Sequence, residues 1–194
     1  MIHLILLTLI FLINDFLFIA LSSFELALFF DYALRLIVII SLFKLFPKKE
    51  LGFKFIRADF ALLLLLIMVP IGVYLYGPLV KDLTARIGLE AYIPSYSLSG
   101  PIRRFDQTMG IFLVACSEEM LFRGLFPYKL KKLNPNIMML LGSVVYSLAY
   151  WGMGPAHMIV SFIWGLLALI LRDRISNIIP LIFAHFLFKL ILSI

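Results

Sequence analysis

The chain has 194 residues, of which 63% are hydrophobic and only 14% charged, and its mean hydropathy is +1.09. Soluble domains run at roughly 45–50% apolar and 25% charged residues, so an ordinary soluble domain is excluded. The formal net charge of +6 would suit a nucleic-acid binder, but in so apolar a chain the basic residues serve to orient helices in a lipid bilayer, and no nucleic-acid partner is expected.

A bilayer-crossing helix needs about 20 apolar residues, which leaves room for about seven spans and no separate soluble domain. The expectation is an all-α, polytopic membrane helix bundle of about seven transmembrane helices, forming a single transmembrane domain over residues 1–194. The first span, about 1–22, lacks a basic leading region and a small-residue cleavage site, so it reads as a retained helix. It carries Asp15. The second, about 24–46, carries Glu25, Asp31 and Arg35. Asp31 and Arg35 are four apart with the acid first, the orientation that closes a helical ion pair. The third span covers about 59–79, and a long amphipathic connection, about 80–105, contains Pro94, Gly100 and Pro101. That connection is expected to be interfacial or re-entrant.

The fourth span, about 106–131, holds the most informative stretch, Ser117-Glu118-Glu119-Met120-Leu121-Phe122-Arg123-Gly124. A charge at the bilayer centre costs roughly 2.5–3.5 kcal/mol on insertion scales, so three of them in one apolar helix point to function. Glu119 and Arg123 have the pairing spacing. Glu118 lies about 100° around the helix, with no partner of that kind in its own helix. The single cysteine, Cys116, excludes an intramolecular disulfide and reads as a packing residue.

The fifth span, about 136–152, puts Tyr146 and Tyr150 on one face. The sixth, about 155–171, begins next to His157, and the seventh, about 176–194, puts His185 and Lys189 on one face. At 1.5 Å per residue, Glu118, Tyr150 and His185 lie roughly 20, 21 and 14 Å from the same end of the bundle. These depths suit one shared intramembrane pocket.

Basic residues divide unevenly between the two ends. Ten of the 17, among them Lys48, Arg57, Lys131 and Arg174, fall in connections on one side, and four, including Arg103, fall on the other. The positive-inside rule then places the N-terminus inside, in a prokaryotic cytoplasmic (inner) membrane.

Glu118-Glu119-x-x-x-Arg123, followed by a segment at Tyr146–Tyr150 and another at His185–Lys189, resembles the three-motif order of the CAAX-processing and bacteriocin-processing (CPBP) family. The resemblance runs from about Gly110 to Lys189, and it implies a catalytic core over 106–194. The family's members are glutamic-type intramembrane endopeptidases. Carried over, Glu118 resembles the carboxylate that activates water, Glu119 and Arg123 the supporting pair, and His185 the oxyanion-side histidine. Two positions depart from the pattern. Tyr146 and Tyr150 stand where the second motif has phenylalanine and histidine, and Lys189 stands where the third has asparagine. The family's water-activating histidine has no match. Tyr150 stays protonated to about pH 10, so it is expected to orient water rather than accept a proton. Lys189 exchanges one donor for another, and His157 is a possible substitute for the missing histidine.

The reading is therefore an intramembrane endopeptidase that cleaves a membrane-anchored peptide or protein near its hydrophobic terminus. A first alternative is an inactive relative that binds a membrane partner or acts in bacteriocin immunity. A second is a small transporter built on Asp15, Glu25, Asp31 and Arg35. No cofactor is implied. No His-Glu-x-x-His is present, and Arg123 places a cation where a metal would sit, so no metal is expected.

Overall fold

The computed structural model describes residues 2–21, 23–54, 58–88 and 100–194. The described residues are 86% helical, contain no strands and form seven helices. In chain order these are α1 (Ile2–Ala20), α2 (Phe24–Leu45), α3 (58–87), α4 (100–129), α5 (Pro135–Leu148), α6 (Pro155–Ile175) and α7 (Ile179–Ser193). Four stretches are long and apolar enough to cross a membrane: Ile2–Ala20, Phe24–Leu45, Phe60–Ile87 and Pro155–Ile175. Phe29 is 66% and Leu66 65% exposed, and such apolar surface on nearly every helix has a stable partner only in lipid. The protein is an integral membrane protein, all-α as the composition predicts.

Local chemistry sets the helix ends. Ser23 caps α2, its side chain accepting from the Leu26 N–H, and Asn134 caps α5 ahead of Pro135. Gly88 closes α3 in the left-handed region, at φ 69°. The amphipathic connection expected at 80–105 is shorter than predicted. Residues 80–87 continue α3 and residues 100–105 open α4, while Pro94 lies outside the described residues, as does Arg57. The fifth span also ends early. Helix α5 stops at Leu148, and Tyr150 sits in a turn before the short 3₁₀ segment Trp151–Met153.

Helix α4 is the axis of the bundle, contacting α2, α7, α6 and α1. Its turn Glu119–Leu125 is π-helical and every residue of it is buried. Pro127 follows directly. Its ring has no N–H to give and collides with the carbonyl four residues back, that of Arg123, so the widened turn accommodates it. The same device recurs at Leu75–Leu79 in α3, where Pro78 lies inside the π turn. Gly124 permits a close approach, because a Cβ there would stand 2.8 Å from the Leu51 carbonyl oxygen. Helices α5 and α6 pack through small residues: a Cβ on Gly165 would lie 3.3 Å from Ser143 Cα. Helix α1 buries Leu4, Leu7, Phe11, Asn14 and Asp15, one stripe at helical spacing, and so presents its two polar residues to the interior.

Candidate active site

The first of the two adjacent glutamates of α4 is held by residues from outside the helix. Glu118 is 3% exposed. Its Oε1 receives Arg35 Nη1 at 3.2 Å. Its Oε2 accepts the Tyr150 hydroxyl at 2.7 Å and the Tyr146 hydroxyl at 3.0 Å. The two phenols lie 3.2 Å apart, one turn from each other as the four-residue spacing requires. Arg35 also donates through Nε to Asp31 Oδ1 at 2.7 Å, closing the pair expected within α2, and through Nη1 to Ser117 Oγ.

Glu119 faces the other way and is fully buried. Its Oε2 lies 3.4 Å from Arg123 Nε, the expected i,i+4 pair. The Arg123 guanidinium stacks 4.0 Å above the Tyr146 ring. Glu119 Oε1 lies 2.9 Å from His185 Nδ1. A carboxylate oxygen only accepts, so the contact puts a hydrogen on Nδ1, and in a neutral ring the remaining acceptor is Nε2. It has no hydrogen-bond partner among the described residues, and it stands 3.9 Å from Glu118 Oε2. Phe188 stacks on the ring at 5.1 Å and Trp164 meets its edge at 6.0 Å, so the imidazole is clamped.

Lys189, one turn beyond His185, directs Nζ at the Tyr150 hydroxyl, 3.4 Å away, and lies over the rings of Tyr150 and Tyr76. A cavity of about 310 Å³ is lined by Glu118, Arg35, Tyr150 and Lys189 together with Asp15, Asp31 and Asp106. A second, of about 270 Å³, shares Tyr150 and Lys189 with the first and adds Tyr76, His157 and Phe188. His157 thus lies beyond the Tyr150–Lys189 contact, in the neighbouring cavity. Asp15, Asp31 and Arg35 line the Glu118 cavity, whereas Glu25 is exposed in the first turn of α2 and bonded to Ser23.

The structure therefore brings Glu118, Glu119, Arg123, Tyr150, His185 and Lys189 into one buried cluster. Two members were missed as site residues. Tyr146 carried a signal, since it shares a helix face with Tyr150. Arg35 carried none beyond its spacing to Asp31, because which face of α2 meets α4 is a property of packing. Tyr150 bonds Glu118 directly, and His185, which lines neither cavity, turns its unpartnered Nε2 toward Glu118 Oε2.

These features define a class: an all-α integral membrane protein with a carboxylate, histidine and tyrosine cluster inside its helix bundle. Residues 105–191 match the family model described as type II CAAX prenyl endopeptidase Rce1-like, consistent with the CAAX-processing and bacteriocin-processing family. The matched segment runs from the first turns of α4 into α7 and carries Glu118, Glu119, Arg123, Tyr146, Tyr150, His185 and Lys189, while Arg35, Tyr76 and the aspartates of α1 and α2 lie outside it. Neither the comparison with curated proteins nor that with solved structures returns a match.

Proposed function

We propose that the protein is an intramembrane endopeptidase of the CAAX-processing type, acting on a membrane-anchored peptide or protein. The observation that carries this reading is the pairing of the unpartnered, buried Nε2 of His185 with Oε2 of Glu118, 3.9 Å apart, at a carboxylate that lines a cavity. One water oxygen can touch both atoms at that separation. Glu118 is then the anionic acceptor that activates the water, and His185, oriented by Glu119, is a neutral acceptor for its second hydrogen. Lys189 is the donor on the cavity side, placed to stabilise a developing oxyanion, and Tyr150, whose hydroxyl donates to Glu118, holds the carboxylate in place. Glu119 and Arg123 hold the histidine and the second motif in register. Catalysis in this scheme needs no covalent intermediate. The acid–base pair supplies what the histidine absent from the second motif supplies elsewhere in the family. The whole chain serves as one membrane domain, with 106–194 its catalytic core and its N-terminus on the cytoplasmic side of the inner membrane.

A second reading, a partner-binding protein without hydrolysis, is favoured by one specific contact set. Three donors already engage the Glu118 oxygens, which leaves fewer lone pairs for a water. Purified protein and a membrane-embedded reporter peptide separate the two. The hydrolase reading expects cleavage by the wild type and a higher rate from Tyr150→His, since a positioned acid–base group contributes about 10²–10⁴-fold. If neither the wild type nor Tyr150→His with Lys189→Asn cleaves a broad set of reporters, the binder reading replaces it.

A further inference from the structure

The Glu118 cavity extends along α4 well past the cluster described above. It holds four carboxyl groups, Asp15, Asp31, Asp106 and Glu118, against two cations, Arg35 and Lys189. Each aspartate uses one oxygen to bind the protein. Asp15 Oδ2 accepts the Gly152 N–H at 2.8 Å, and Asp106 Oδ1 accepts the Tyr32 hydroxyl at 2.6 Å. Asp31 Oδ1 accepts from Asn14 Nδ2 and Arg35 Nε. The other oxygen of each carries no hydrogen bond among the described residues. Asn14 adds an independent sign. It lines the same cavity, is 5% exposed, and its Oδ1 has no partner. A buried carbonyl oxygen without a donor is destabilising, so its persistence beside three half-used carboxylates points to a ligand rich in N–H groups.

We propose that this aspartate end of the cavity is the subsite for a cationic side chain, a lysine ammonium or an arginine guanidinium, of the membrane-anchored peptide; the assignment to a peptide rests on the function proposed above. Both groups carry several donors and a charge, matching an array of acceptors with spare oxygens. A metal ion fits less well, because no group of three or more His, Cys, Asp or Glu side chains converges as a metal site among the described residues. The geometry also sets the position of the cation in the substrate. Asp106 and Glu118 are twelve residues apart on α4, about 18 Å at the helical rise. An extended peptide covers that distance in roughly five residues at about 3.3 Å each. The basic residue thus lies within about five residues of the bond that faces Glu118.

The test is equilibrium binding of labelled apolar peptides to the full-length protein in neutral detergent, followed by fluorescence anisotropy. One peptide carries a single lysine, and its twin carries acetyl-lysine at the same place. The lysine peptide is expected to bind about tenfold or more tightly than its twin, as charge-assisted hydrogen bonds require. Asp106→Asn and Asp15→Asn keep the bonds to Tyr32 and Gly152 while removing charge, and should narrow the gap to within about threefold. Equal binding of the two peptides by the wild type overturns the proposal, and that comparison does not depend on either variant folding. So does a gap that survives in both folded variants. Displacement of the lysine peptide by magnesium or calcium chloride at fixed ionic strength would assign the carboxylates to a metal instead. Cleavage is read separately on the same peptides. A lysine preference in binding without any cleavage removes the hydrolase reading and leaves the subsite, whereas cleavage indifferent to lysine removes the subsite alone.

Discussion

Arg123 is a fully buried cation whose nitrogens have no hydrogen bond that meets geometric criteria among the described residues, so it rests on the Glu119 charge and the Tyr146 ring. Removing one partner of a buried ion pair strands the other, at a cost of about 3–5 kcal/mol. Arg123→Ala should therefore lower the thermal midpoint in detergent sharply, and Glu119→Gln with Arg123→Met should lower it less. Equal losses would contradict the pairing. Arg35 bridges Asp31 and Glu118, so Arg35→Met strands two carboxylates. Tyr150→Phe removes one of three donors and leaves Tyr146 and Arg35 in place. In reporter cleavage, Tyr150→Phe should cost about tenfold, the value of one hydrogen bond to a charged group, and Arg35→Met considerably more. Much of this cluster was legible in the sequence, because Glu119–Arg123, Tyr146–Tyr150 and His185–Lys189 all follow from a four-residue spacing along one helix. The link from Arg35 to Glu118 was not. It depends on which faces of α2 and α4 meet, and the Asp31 spacing already accounted for Arg35.

At the scale of elements, the helix count and order follow hydropathy closely, and the ends do not. Lys81, Asp82 and Arg86 lower the hydropathy after residue 79 and so read as connection. They nevertheless belong to α3, where the Arg86–Asp82 pair closes at 2.8 Å one turn apart. The four-residue acid-to-base spacing of Asp82 and Arg86 is a helix signal that mean hydropathy does not carry. The early end of α5 has a different cause. A stretch at 149–154 with two glycines turns to carry the Gly152 N–H to Asp15 on α1, a contact remote in sequence. Gly124 ties α4 to the segment after α2. Gly124→Ala would drive a Cβ against the Leu51 carbonyl, a backbone atom that cannot rotate away. Overpacking of this kind costs about 1–3 kcal/mol, which should appear as a lower thermal midpoint and a reduced folded yield in detergent. An unchanged midpoint would mean that the close approach of α4 to Leu51 does not exist in solution.

For the whole molecule, the claims are a membrane address and a reaction. Orientation is checked by replacing Cys116 and introducing single cysteines at Lys48, Lys131 and Arg103. The basic-residue asymmetry predicts that an impermeant thiol reagent reaches Lys48 and Lys131 from the cytoplasmic side and Arg103 from the other. Labelling of Lys48 and Arg103 from one side would overturn the orientation. The reaction is tested most directly by one substitution that keeps size and hydrogen bonding while removing the charge. Purified wild-type protein and Glu118→Gln, both reconstituted in liposomes, are compared on a membrane-anchored reporter peptide, with fragments identified by mass. The account predicts cleavage by the wild type and none by Glu118→Gln at matched folded concentration. Cleavage that survives Glu118→Gln would contradict it.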